Sequence, residues 1–351
     1  MSGDAVRDET TSPAGVTPGG GAVPQEPRTA GGVSAGLRGR WAGVEVRNLG
    51  LVAVLAVLAV VGTLTSENFL TRNNLQLILV SSSIVGVVTV GVTLVIIGGG
   101  IDLSVGALVA LASVWATTVQ TQSYGWFVMI LCALTVGALA GLVNGVLIGY
   151  GNLVPFIVTL AMLVSARGLA QRLAQNRTQI VTDPTIISIA TTDVLGIPLL
   201  IWILAVVVAL GWILLNRTTF GRRTIAIGGN AEAARLAGID VRRTTVLLYV
   251  ISGLCCGIAA VMIMSRTTTG SSTHGDLYEL DAIAAAIIGG TLLAGGRGTI
   301  IGSLLGVLVF TTITNIFVLN NLQTEIQNIF KGLIIIAAVL LQRRTQREVS
   351  T

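Results

Sequence analysis

Apolar runs long enough to cross a lipid bilayer recur along almost the whole chain. A bilayer core about 30 Å thick needs roughly 20 apolar residues per helix. Runs of that kind cover 49–64, 75–97, 103–119, 126–148, 154–173, 197–215, 245–264, 281–294, 300–319 and 326–341. The composition agrees: 53% of residues are hydrophobic and 11% are charged, against roughly 25% charged in soluble domains. The pattern predicts an all-α polytopic membrane protein of about ten helices. The third and eighth runs are short, and a broken or re-entrant helix fits both. The glycine run Gly98–Gly100 interrupts the pattern between the second and third.

Arginine placement orients the bundle, because cytoplasmic loops collect positive charge. With the N-terminus inside, 13 arginines flank the inner ends: Arg38, Arg40, Arg47, Arg217, Arg222, Arg223, Arg235, Arg242, Arg243, Arg297, Arg343, Arg344 and Arg347. The outer loops hold 4: Arg72, Arg172, Arg177 and Arg266. Both termini are therefore expected in the cytoplasm. The same bias accounts for most of the +5 net charge without nucleic acid. Residues 1–47 are rich in Gly, Pro, Thr and Ala, and their five acids and five arginines cancel. Such a segment has no apolar face to bury and is expected to be disordered. The organisation expected is a tail over 1–47, a membrane domain over 48–342 with a cytoplasmic loop at 216–243, and a basic tail over 343–351.

Several chemistries are excluded. Lys331 is the only lysine and is followed by glycine, whereas a phosphate loop needs Gly-Lys followed by Ser or Thr. No H-E-x-x-H string occurs. His274 is the only histidine, and it reads as a solvated loop residue. Cys132, Cys255 and Cys256 fall inside apolar runs, without metal or disulfide spacing. The chain reads as a non-enzyme that binds no cofactor or metal of its own.

The longest polar stretch inside the membrane region runs from Asn216 to Arg243. Asn230 is a good N-cap, and Glu232 sits where the helix dipole favours an acid. Gly238 can take a left-handed cap. These residues predict a two-turn helix over 231–237, which needs a surface to pack on. Asn230, Ala233, Ala234 and Ala237 are expected to share one flat face. That face suits either a partner or the ends of the protein's own helices.

A charge deep in a membrane helix costs about 2.5–3.5 kcal/mol on insertion scales. Asp102 therefore reads as lining a polar path, as capping helix three together with Ser104, or as both. Glu279 and Asp281 begin helix eight, where the dipole favours acids; a polar cargo or a docked partner is the functional alternative. Asn144 and Asn315 fit interhelical hydrogen bonds or cargo hydroxyls. Arg167 is expected to snorkel toward the outer surface. The spacing Gly137, Gly141, Gly145 permits close helix packing. Gly99-Gly100 with Gly106 matches Gly295-Gly296 with Gly302 in spacing, as an internal repeat would.

Three long strings carry a family likeness: Gly99-Gly100-Ile101-Asp102-Leu103-Ser104-Val105-Gly106, Pro155-Phe156-Ile157-Val158-Thr159-Leu160, and Tyr278-Glu279-Leu280-Asp281-Ala282-Ile283-Ala284-Ala285 continuing to Gly295-Gly296-Arg297-Gly298. Glu232-Ala233-Ala234 with Gly238 is similar to the coupling motif of bacterial ABC importer permeases. Over about residues 50–342 the chain resembles the ribose-type monosaccharide permeases, the inner-membrane components of binding-protein-dependent import; the long N-terminal tail departs from their usual pattern. The resemblance implies a second permease copy, an ATPase subunit, often tandem-fused, carrying ATP and Mg, and an external sugar-binding protein. It implies that Glu232 through Gly238 seat in the ATPase. An ion-coupled secondary sugar transporter or facilitator is the alternative, and it would need no such loop helix.

Overall fold

The computed structural model describes residues 32–350, with side chains over 48–337 and at 340. The expected disordered tail thus falls largely outside the described residues, as do the side chains of the basic tail. Every membrane-capable span lies in the compact unit Glu45–Thr351.

The elements in order are α1 Gly32–Thr65, α2 Arg72–Ile97, α3 Val105–Ala116, α4 Val119–Gln122, α5 Trp126–Gly149 and α6 Pro155–Ala174. Then come β1 Gln179–Ile180, α7 Pro184–Thr191, β2 Asp193–Val194, β3 Ile197–Pro198, α8 Leu199–Arg217, α9 Thr219–Gly229 and α10 Ala231–Leu236. The chain continues through α11 Val241–Thr267, β4 Thr269–Gly270, α12 Tyr278–Ile288, α13 Ile300–Leu319 and α14 Thr324–Ser350. Strands β1 and β4 pair antiparallel, as do β2 and β3.

Every expected apolar run coincides with a helix. Among the described residues seven helices, α1, α2, α5, α6, α8, α11 and α13, are long and apolar enough to cross a membrane. The third and eighth runs are shorter than the sequence suggested. Helix α3 has 12 residues and α12 has 11, so each rises only about 16–18 Å and cannot cross alone. Asp102 and Ser104 delay the start of α3, and Thr117 ends it. Gly289 ends α12, and the chain turns at Gly290, where φ is +82°.

Short elements between the helices were not foreseen. Strands of two residues show no alternation to read. Helix α7 did carry a signal: Asp183 accepts from Thr185 N and Ile186 N, and Pro184 occupies the first position.

Helices α2, α3 and α11 form the centre. Helix α3 buries every residue except Trp115, as a helix apolar on all sides must. In the most apolar stretch of α2, 83% of residues are buried, against 11% in α1, which places α1 at the lipid-facing rim.

Glycine sets the closest contact, between α5 and α11. A Cβ on Gly137 would collide with Gly253 O, and one on Gly141 with Tyr249 O. At Gly145 it would lie 2.7 Å from Val246 Cα, and at Gly149 2.9 Å from Arg242 O. The partner numbers fall as the α5 numbers rise, so the helices run antiparallel with a small residue every fourth position. Close backbone approach of this kind holds membrane helices together where no hydrophobic gain separates lipid from protein. Gly141→Ala is expected to lower thermal stability in detergent by about 1–3 kcal/mol, the usual cost of overpacking. Gly168→Ala in α6, where an added Cβ meets nothing within 4 Å, should be neutral or slightly stabilising. Paired melting curves of the two variants check the contrast.

Candidate functional site

The loop between α8 and α11 folds as two short helices. Thr218 caps α9 by accepting from Gly221 N. Asn230 ends α9, donating its N–H to Ala226 O, and starts α10, where its Oδ1 accepts from Ala233 N at 2.9 Å. Helix α10 matches the expected segment. Its end carries two bonds, Gly238 N to Arg235 O and Ile239 N to Ala234 O, both 3.0 Å. Gly238 has φ +81°, so the pair forms a Schellman cap that only glycine enters without strain. Glu232 forms an exposed ion pair with Arg235 at 2.6 Å, and that guanidinium holds its carboxyl below the usual range.

The alanine face divides. Ala234 is buried against the protein's own helices, while Asn230, Ala233 and Ala237 are exposed. Leu236 is 76% exposed. Helix α10 thus rests on one alanine and presents a small-residue surface with one bulky apolar side chain. Sequence reasoning missed Leu236 and the whole of α9, whose Thr218 cap was the available signal.

Asp102 lies in the break between α2 and α3 and is fully buried. Its Oδ1 accepts from Ser104 N at 3.0 Å and Ser104 Oγ at 2.6 Å, and its Oδ2 accepts from Ser252 Oγ on α11 at 2.8 Å. Asn144 Nδ2 on α5 donates to Ser104 Oγ at 3.0 Å. Next door, Ile101 O accepts from Tyr249 Oη at 3.1 Å and Thr159 Oγ1 of α6 at 3.4 Å. Asp102, Ser104 and Asn144 therefore belong to one network that ties the break to α5, α6 and α11. This geometry is that of a cap, and it occupies both carboxylate oxygens.

The remaining polar candidates stand apart from it. Asn315 on α13 pairs its amide reciprocally with Asn74 on α2, at 3.0 and 2.7 Å. Asp281 on α12 pairs with Lys331 on α14 at 3.0 Å, largely out of solvent, with the amine 5.5 Å from the Phe310 ring centroid. Glu279 Oε2 is buried beside Gly106 of α3, without a hydrogen-bond partner. Arg167 departs from the snorkelling expectation. It donates to the carbonyls of Ser272 and His274 and pairs with Asp276 at 3.0 Å, clamping the loop before α12. His274 is likewise buried rather than solvated, with Nδ1 3.1 Å from Ser113 Oγ.

Three glycine pairs connect the α9–α10 segment to the break. Gly296 N donates to Ile97 O at 2.8 Å. A Cβ on Gly228 would collide with Ile97 O and lie 2.5 Å from Gly296 N. One on Gly295 would lie 2.9 Å from Gly99 Cα, and one on Gly296 2.9 Å from Gly229 Cα. Gly99, Gly295 and Gly296 have φ of +85°, +87° and +71°, a region other residues avoid. The two glycine pairs matched in sequence spacing thus meet in space, with Gly228-Gly229 packed against both. From α10 the chain reaches this junction in two residues, and Asp102 lies two residues past Gly100.

A family model described as "Branched-chain amino acid transport system / permease component" matches residues 74–339. The chain belongs to this permease family. It is 37% identical over 308 residues to the ribose import permease protein RbsC of Escherichia coli strain K12, covering 84% of this chain and 93% of that one. It is 38% identical to RbsC of Bacillus subtilis strain 168, covering 85% and 94%. It is 35% identical to the L-arabinose transport system permease protein AraH of E. coli K12, covering 85% and 91%. No solved structure matches the chain. Family membership and seven membrane-capable helices make this a multi-pass membrane transport component.

Asp102→Ala is expected to orphan three buried donors, each costing about 1–3 kcal/mol. Asp102→Asn keeps an acceptor oxygen and should destabilise less. Thermal unfolding of both variants in detergent measures the difference, and equal losses would deny Asp102 its capping role.

Proposed function

We propose that this protein is the membrane-spanning subunit of an ATP-driven importer for a monosaccharide, a pentose, hexose or related polyol. The names of its relatives, ribose and arabinose permeases with more than nine-tenths of their length covered, support the cargo class. The observation that carries the mechanism is the α10 segment and its route to Asp102. Helix α10 is capped at both ends, exposed on most sides, and two residues from the glycine junction.

In this proposal α10 faces the cytoplasm and seats in a separate ATPase subunit, which holds the ATP and Mg. A second copy of the chain completes the pathway, and an extracytoplasmic binding protein supplies the sugar. Closure of the ATPase displaces α10 and α9. Gly228 touches the backbone at Ile97 and Gly296 with no side chain between, so the displacement moves the break at 98–104 and the turn at 289–299 together. Those two segments flank the half-length helices α3 and α12, which can shift without tearing a full span. Asp102, Ser104, Asn144, Asn315, Glu279 and Asp281 act in this reading chiefly by holding the broken helices in register.

Coupling is measured in liposomes with ATPase and binding protein present. Gly238→Pro, which cannot adopt φ +81°, and Glu232→Arg are expected to cut uptake at least about tenfold, the equivalent of 1.4 kcal/mol of coupling, while ATP hydrolysis persists. Gly228→Val should do the same with α10 left intact, as judged by hydrogen exchange over 231–237. Full uptake in all three variants rejects the role of α10. Uptake by the chain alone at a rate indifferent to ATPase rejects the importer and favours the secondary-transporter alternative.

A further inference from the structure

At the end of the bundle opposite α10, about 40 Å along α11, a cavity of about 420 Å³ opens between α2, α7 and α11. Its lining is divided by chemistry. Asn73, Gln76, Arg266 and Thr268 supply a polar half, and Leu77, Val80 and Ile187 an apolar half. Arg266 closes the last turn of α11, where a membrane-spanning helix meets the headgroup layer. None of the four ion pairs among the described residues includes it. One guanidinium nitrogen donates to Ser81 Oγ at 3.0 Å, which leaves the rest of a five-donor fork without a carboxylate. Asn73 and Gln76 lie in the first turns of α2, whose N-terminal dipole favours an anion.

We infer that this cavity holds the phosphate headgroup of an anionic lipid. The phosphodiester lies between Arg266 and the amides of Asn73 and Gln76, and an acyl chain lies against Leu77, Val80 and Ile187. Its position decides the source. A soluble anion would have no use for an apolar wall continuous with the lipid-facing surface of α2, where Leu77 is 51% exposed.

The test is retention of phosphatidylglycerol and of phosphatidylcholine with the same acyl chains, each titrated into the purified full-length protein in detergent and read by native mass spectrometry. Wild type is expected to hold the first phosphatidylglycerol about five-fold more tightly, the preference one cation confers near a charged surface. Arg266→Gln should erase that preference, weakening phosphatidylglycerol retention more than phosphatidylcholine retention. Asn73→Leu with Gln76→Leu, which alters no charge and sits at one exposed and one half-buried position, is the second variant and should weaken phosphatidylglycerol retention. Equal retention of the two lipids by wild type, or an unaltered preference in both variants, overturns the inference. Displacement of the lipid by inorganic phosphate at equal concentration overturns the lipid source, and displacement by a neutral monosaccharide overturns the anion chemistry.

Discussion

A helix that stops inside a bilayer leaves carbonyl groups without partners, and one that restarts there leaves N–H groups without partners. Water cannot satisfy them. The break between α2 and α3 therefore depends on groups brought from elsewhere in the chain. Gly98 and Gly100 fold their N–H groups back onto Leu94 and Val95 carbonyls. Asp102 takes the N–H of Ser104, while Tyr249 and Thr159 donate to the carbonyl of Ile101. Three separate helices, α5, α6 and α11, converge on seven residues, and the order of the bundle follows from where those donors must stand.

Close packing reinforces this arrangement. Helix α11 supplies Tyr249 and Ser252 to the break only because it lies against α5 with glycine at each crossing. The same helix begins at Asp240, which caps it by accepting from Arg243 N, two residues after the turn that ends α10. One long helix thus carries both the α10 segment at its start and the break's polar partners at its middle. The glycine junction adds a second route between the same two places, through backbone alone.

Much of this was legible in the sequence because membrane constraints are crude and strong. Length and hydropathy placed all ten helical segments, and Asn230, Glu232 and Gly238 marked α10 through capping chemistry that works residue by residue. What stayed hidden was tertiary. The true ends of α3 and α12 depend on glycines and on Asp102 finding distant donors. Whether Ala234 or Ala233 turns inward depends on what α9 packs against. Arg167 and His274 looked like surface residues because nothing nearby in sequence names their partners, the carbonyls of 272 and 274 and the hydroxyl of Ser113. Glycine abundance masked the two contacts where glycine matters most, since 43 glycines offer many spacings and only the fold selects among them.

The Asp281–Lys331 pair gives the protein an unusual chemical property. Lys331 is the only lysine in the sequence, and its amine is held against a carboxylate and an aromatic ring, away from solvent. Acylating reagents that decorate most proteins at dozens of surface amines meet no exposed lysine here. Lysine acylation of the protein can fall only on Lys331, and separation of α12 from α14 would speed it. An ordinary labelling reaction becomes, for this chain, a single-position clock for the opening of one helix pair.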